Sequence, residues 1–194
     1  MHETLAIVGG LIVILSGIPY VIDTIKGKTR PNVVSWLTWT ILITIGAFAA
    51  LAAHETKTAI ITSGDAIQAG IILLLGLKYG YAKFSLFDGV CLIGAILGLV
   101  LWRIFDSPTT AIIATIVIDL IAALPTYRHS WLKPDEETWQ TYSVSSLGAA
   151  VGLASLTSFS VDSLAYPVYL FLLGVTLAAT IIFRRKKKGQ RLLR

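Results

Sequence analysis

Gly17–Trp39, GIPYVIDTIKGKTRPNVVSWLTW, decides how the rest of the chain is read, because a second version of it stands about a hundred residues on, at Leu124–Ser143, LPTYRHSWLKPDEETWQTYS. Each copy closes an apolar run on a proline, Pro19 or Pro125, and crosses a short charged segment carrying a lysine and a second proline, Pro31 or Pro134. Each then opens the next apolar run through an aromatic pair three residues apart, Trp36/Trp39 or Trp139/Tyr142. Setting Pro19 on Pro125 puts Trp36 opposite Tyr142, so the copies match only with one gap. The pattern reads as an old, eroded duplication.

Composition fixes the broad class. The 194 residues are 55% hydrophobic and 14% charged, with a mean hydropathy of +0.77, far outside the range of soluble domains. An integral membrane protein is expected, too short to hold a sizeable soluble domain as well. Cys91 stands alone in an apolar run, which excludes a disulfide or thiolate metal site. His2, His54 and His129 are far apart and form no HxxxH pair, so neither a metal nor another cofactor is expected. The opening Met-His-Glu-Thr has no basic segment and the first apolar run has no A-x-A site, so no signal peptide is expected.

Seven apolar runs come near the ~20 residues that a bilayer core demands of a helix: roughly 5–24, 33–53, 59–79, 86–105, 109–127, 140–160 and 165–183. They lack the alternation of barrel strands. With the N-terminus outside, the inner segments hold Lys26, Lys28, Arg30, Lys78, Lys83, Arg128, Lys133 and the seven basic residues from Arg184 to Arg194; only Lys57 and Arg103 fall outside. That bias predicts a cytoplasmic C-terminus and agrees with an odd helix count. The net charge of +5 is thus a topology signal and no argument for nucleic acid. The tail RRKKKGQRLLR reads as a stop-transfer anchor that can also meet anionic headgroups.

Helices 1–3 and 5–7 then form two triplets, with helix 4 between them returning the chain to its starting side. The expected fold is an all-α membrane protein of seven transmembrane helices in a 3+1+3 plan of parallel triple-helix bundles: 1–82, a linker helix 83–107, 108–184, and a basic tail 185–194. Gly94-x-x-x-Gly98 in helix 4, and Ser145, Gly148, Gly152 and Ser155 in helix 6, offer small-residue faces for close packing.

In that plan, and in Pro19 and Pro125 near the inner helix ends, the chain resembles the PQ-loop and SWEET group of small transporters, whose repeats are parallel. The namesake Pro-Gln is absent, since Tyr20 and Thr126 follow the prolines. The segments GKTRPNVVSWLTW, IDLIAALPTYRHSW and FDGVCLIGAILGLVLW resemble an uncharacterised group of small prokaryotic membrane proteins, which implies an inner-membrane location. Trp36-x-x-Trp39 is similar to the WxxW of PnuC vitamin transporters.

Asp119, in IATIVIDLIAALP, falls near mid-bilayer at 1.5 Å per residue. A carboxylate there costs roughly 2.5–3.5 kcal/mol on insertion scales, so such groups face a bundle interior or a wet cavity. Asp65 follows, with Ser63 and Gln68 near it and Gly64 and Gly70 thinning the helix. The two acids read either as a site for a cation or a proton, or as hydrogen-bonded staples between helices. Asp23 and Asp88, at inner helix ends, read as solvated or salt-bridged. Pro19 and Pro125 read as hinges or as plain helix termini. Trp36, Trp39, Trp139 and Tyr142 read as an interfacial belt or a stacking platform for a planar solute, and Tyr166, Pro167 and Tyr169 as an outer belt.

Helix 7 has no lysine for retinal, no histidine is expected within any helix to serve a nucleophile as base, and no P-loop occurs. No catalytic residue is expected. The expected function is a transporter or facilitator of a small polar solute, by alternating access, with proton coupling left open. The only asparagine, Asn32, lies in a loop, whereas SWEET pockets carry paired asparagines; a cationic or zwitterionic solute, an amino acid or vitamin-like base, is favoured over a sugar. A homo-oligomer is compatible with the sequence. A non-transporting receptor or scaffold, as the KDEL receptor is on this fold, is the alternative.

Overall fold

A computed structural model describes residues 2–52, 56–80, 85–104, 108–157 and 159–192. Among them the chain forms seven α-helices: α1 His2–Ile25, α2 Val33–Ala52, α3 Thr56–Tyr79, α4 Leu86–Ile104, α5 Pro108–Leu132, α6 Trp139–Ala154 and α7 Val161–Lys187. A 3-10 turn at Pro134–Glu136 precedes α6. His54 and the expected unit boundaries at 82/83 and 107/108 touch residues outside this description. Four stretches are long and apolar enough to cross a membrane: His2–Ile25, Ile61–Tyr79, Ile112–Leu132 and Ser163–Lys187.

The distribution of side chains suits lipid. Along α1, Val8, Leu11, Leu15, Ile18, Ile22 and Ile25 recur every three or four residues and are exposed, whereas Gly9, Ser16, Gly17, Tyr20 and Thr24 are buried. In water this face would be turned the wrong way. In a bilayer the apolar stripe meets its own kind, and small or polar residues gain from close approach and internal hydrogen bonds.

Helix α3 packs on α1 and α2, α7 packs on α5 and α6, α1 meets α6, and α2 meets α5. These contacts trace a closed circuit α1-α3-α2-α5-α7-α6, and α4 lies over α5 and the edge of α2. The α1–α6 seam is a backbone contact: a Cβ on Gly148 would stand 2.8 Å from the Gly9 carbonyl oxygen, and one on Gly9 2.8 Å from the Gly148 oxygen. Gly94 faces Ile121 of α5; the side-chain surroundings of Gly98 lie outside the description.

Both prolines are interior to helices, which run on to Ile25 and Leu132; the plain-terminus alternative does not hold. A proline leaves the carbonyl four residues back without its usual donor, here Leu15 and Ile121, and side chains of neighbouring helices bond the backbone one residue away from each. Ser35 of α2 donates to the Ala122 carbonyl at 2.5 Å, three residues before Pro125. Gln68 of α3 donates to the Ile14 carbonyl at 2.6 Å and accepts from the Gly17 N–H at 3.2 Å, just before Pro19. Any side chain at Gly17 would collide with that amide.

Helix ends depart from expectation. α5 continues to Leu132 instead of 127 and so takes in His129, while α1 begins at His2, against the expectation that no helix holds a histidine. α7 spans Val161–Lys187 instead of 165–183, so the first residues of the expected tail are helical. Cations in its last turn suit the negative end of the helix dipole. α6 stops at Ala154 instead of 160 because a serine-rich turn competes with it: the Ser155 hydroxyl bonds back to the Gly152 carbonyl, and Ser160 caps α7 by accepting from Ser163 N. The end of the bundle where α7 finishes in Arg184–Lys187 is called the basic end below.

Candidate functional site

Two groups of polar side chains occupy the interior at different levels. The first surrounds Asp119 on α5, 5% exposed and hence turned away from lipid. Its carboxyl faces the Tyr169 hydroxyl of α7 and the Trp39 indole of α2, and it lies close enough to Asp65 of α3 to be repelled by it. Tyr166, one turn before Tyr169, feels both acids, and the two tyrosine rings lie 6.1 Å apart. Four helices therefore contribute to one polar patch. The Tyr169 hydroxyl is buried and, among the described residues, closes no hydrogen bond of normal geometry. Two acids and an uncommitted hydroxyl can hold a proton, an ammonium group or a similar cation.

Of the residues singled out in the sequence, Asp119, Asp65 and Trp39 come together here. Gln68 shares the α3 face of Asp65, three residues on, but its amide is used on the α1 backbone. Ser63, two residues before Asp65, falls on roughly the opposite face by helical geometry. Tyr166 and Tyr169 do not form the expected outer belt: both are only partly exposed and lie near the acids.

The second group lies at the basic end. Trp36, Tyr20 and Tyr142 are buried at 6%, 0% and 6% exposure, which overturns the belt reading for Trp36 and Tyr142. The Tyr20 ring packs on Trp36 at 5.0 Å and on Tyr142 at 6.3 Å, and Trp36 meets Trp39 edge-on at 5.1 Å, linking the two levels. Ile72 of α3 and Leu177 and Ile181 of α7 fill in around them. At the centre sits Glu137, from the connection between α5 and α6, 0% exposed. Its Oε2 accepts the Tyr20 hydroxyl at 3.0 Å and the Tyr142 hydroxyl at 3.1 Å. Arg185 of α7 donates to the Glu137 carbonyl at 2.6 Å, and Trp36 Nε1 donates to the Tyr20 hydroxyl at 3.3 Å.

Nothing in the sequence drew attention to Glu137, which looks like one of three consecutive acids in a loop. Its position five residues before an aromatic at a helix start, the i, i+5 pairing it makes with Tyr142, was the available signal. Asp88 also departs from expectation: it is 3% exposed and forms a reciprocal cap with Ser85, accepting from Ser85 N at 2.8 Å while Asp88 N donates to Ser85 Oγ at 3.2 Å, the logic of a capping box. Asp23 accepts the Thr138 hydroxyl at 3.0 Å.

Two cavities open at the basic end. One, about 280 Å³, is bounded by Pro19, Asp23, Lys28, Thr29, Gln140 and Arg185 with Leu192 of the tail; the other, about 50 Å³, by Asn32, Asp88, Pro125, Arg128 and His129. Neither is lined by Asp119. The Leu192 carbonyl receives Trp139 Nε1 at 3.0 Å and an Arg185 nitrogen at 2.9 Å, so the tail folds back over the larger cavity.

No family model matches the chain, and no curated protein or solved structure matches it. The chemistry of the interior therefore carries the functional reading.

Proposed function

We propose that the protein is a membrane transporter or facilitator of a small cationic or zwitterionic solute, working by alternating access, with Asp119 as the group that holds the solute's cation or a coupling proton. The observation that carries this is Asp119 itself: a carboxyl in the middle of a candidate span, nearly fully buried, facing Tyr169, Trp39 and a second acid. Burying the Asp119 carboxyl is costly, Asp65 adds a smaller repulsion, and a cation or proton held at Asp119 relieves that cost.

The helix pairings support a plan of two like units. Exchanging α1, α2 and α3 for α5, α6 and α7 turns each circuit contact into another: α1–α3 into α5–α7, α2–α3 into α6–α7, and α1–α6 into α5–α2. Helix α4 is the linker that has no counterpart. On this reading the aromatic plug of Tyr20, Trp36 and Tyr142 is a closed gate at the basic end, Pro19 and Pro125 are its hinges, and the basic end lies in the cytoplasm of a prokaryotic cell with the N-terminus outside.

The test is uptake into proteoliposomes of candidate amino acids and cationic vitamins at several pH values. Wild-type protein concentrates or equilibrates a solute, and Asp119→Asn, folded to the same extent, does not. Equal uptake by that variant at every pH removes Asp119 from the mechanism.

One observation favours a second reading, a receptor or scaffold that carries nothing: Gly9 and Gly148 bring two backbones into direct contact, a seam suited to permanent packing. Under that reading a ligand binds without crossing, so binding in detergent with no uptake into vesicles selects it.

A further inference from the structure

The basic end holds a titratable group that transport through Asp119 leaves unused. Glu137 bonds to one helix on each side of a seam, Tyr20 of α1 and Tyr142 of α6, through the same oxygen. Its other oxygen, Oε1, is buried and, among the described residues, has no hydrogen-bond partner, donor or acceptor. A carboxylate so placed would leave half of its charge without a hydrogen bond in a dry site; a neutral acid can hold its proton on Oε1 and still accept both hydroxyls on Oε2.

The groups facing it account for the rest of the local charge. From α2 comes the Trp36 indole, bonded to Tyr20; from α7 comes Arg185, spent on the carbonyls of Glu137, Pro134 and Leu192. Its neighbour Glu136 is turned to Lys133 and His129, and Asp23 of α1 is reached through Thr138. From α3 come the uncharged Ala69 and Ile72. Only Arg185 among these offers a countercharge, and it addresses the backbone.

We infer that Glu137 is a proton-binding latch: as the neutral acid it ties α1 to α6 and keeps the basic end shut, and loss of its proton releases that end. The charged form accepts the two hydroxyls more strongly, but it leaves on Oε1 a charge with no hydrogen bond, which water must enter to solvate, so the end opens all the same. The step is a dissociation in which the Oε1–H bond breaks, its electron pair stays on the carboxylate, and the proton passes to water. Water has a place close by, since Arg185 both lines the 280 Å³ cavity and holds the Glu137 carbonyl. Burial pushes this carboxyl up to about 8, against the lowering pull of Tyr20, Tyr142 and Arg185, so the release falls near neutral pH. Helix α4 packs on α5 and α2, away from the α1–α6 seam. The inference does not depend on Asp119 or on transport.

Backbone hydrogen exchange of Tyr20–Ile25 and Trp139–Ser143, corrected for intrinsic rates, tests it in lipid nanodiscs between about pH 5.5 and 9.5. Protection in the wild type falls by about tenfold or more as pH rises through about 8, Glu137→Gln stays protected throughout, and Glu136→Gln keeps the wild-type step. A wild-type profile without a step, the same step in Glu137→Gln, or its loss in Glu136→Gln overturns the latch. Tyr142→Phe removes one hydroxyl and no charge, and raises exchange several-fold at pH 6; unchanged exchange in that variant overturns the latch even where Glu137→Gln fails to fold.

Discussion

Glu137 and Asp119 are both acids taken almost wholly out of solvent, at 0% and 5% exposure, yet they are furnished differently. Glu137 is anchored by two tyrosine hydroxyls from helices on either side of a seam. Asp119 has a tyrosine hydroxyl and an indole near it, but that hydroxyl closes no bond of normal geometry among the described residues. The first arrangement holds parts of the protein together. The second leaves capacity for something that the protein itself does not supply. Burial alone does not separate a structural acid from a functional one; what separates them is whether the neighbours are already committed.

The contrast breaks first on function. Asp119→Asn is expected to lose on the order of tenfold or more in solute affinity, since a charge-assisted hydrogen bond is worth about 1.5–3 kcal/mol, while its melting temperature stays near the wild-type value. Glu137→Ala should show the reverse, losing about 1–3 kcal/mol of stability because two buried hydroxyls are left without an acceptor; thermal unfolding in detergent reads both. A melting temperature that falls more for Asp119→Asn than for Glu137→Ala would invert the assignment.

Beside the latch, the seam itself gives a second effect of similar size. Gly148→Ala should cost about 1–3 kcal/mol by overpacking, because its Cβ would press on the Gly9 backbone at 2.8 Å, whereas Gly152→Ala, with nothing within 4 Å, should be near neutral. Equal melting temperatures for the pair would mean that α1 and α6 do not touch there.

A pH effect follows from Glu137. Its folded-state value of about 8 lies above the ordinary 4.5, so the folded form binds the proton more tightly than the unfolded chain does. The stability this adds is fully present below about 4.5 and is lost as pH rises through about 8. The melting temperature of the wild type should therefore fall relative to Glu137→Gln across that window; parallel curves would remove the shift. The smallest effect is Ser35→Ala, which deletes the bond to the Ala122 carbonyl at 2.5 Å and should cost about 0.6 kcal/mol, the average for hydrogen bonds between membrane helices.

The helices were legible because lipid imposes length and apolarity on each run separately, and Asp119 because a charge in such a run stands out without any knowledge of its neighbours. Glu137 was not legible, since its burial comes from Tyr20, 117 residues away, and nothing local distinguishes it from Asp135 and Glu136. Tyr166 and Tyr169 misled for a related reason. An aromatic at a helix end has the same spacing whether it faces headgroups or the interior, and only the position of Asp119 across the bundle decides. The end of α6 is not legible because the stretch after Ala154 is apolar enough on average to extend a run, while the Ser155 hydroxyl bonds back to Gly152 and Ser160 caps α7. Gln68 was noticed for its polarity next to Asp65, but its partner is a stretch of α1 backbone ahead of Pro19, which no side-chain pattern announces.

The most direct test of the account is binding at Asp119, measured as the thermal shift of purified wild-type protein and Asp119→Asn against one panel of amino acids, cationic vitamins and neutral sugars, since a ligand that prefers the folded state raises its melting temperature. The account predicts that at least one compound carrying a cationic group stabilises the wild type and loses that effect in Asp119→Asn. A compound that stabilises both proteins equally, or a panel in which only neutral sugars stabilise the wild type, would contradict it.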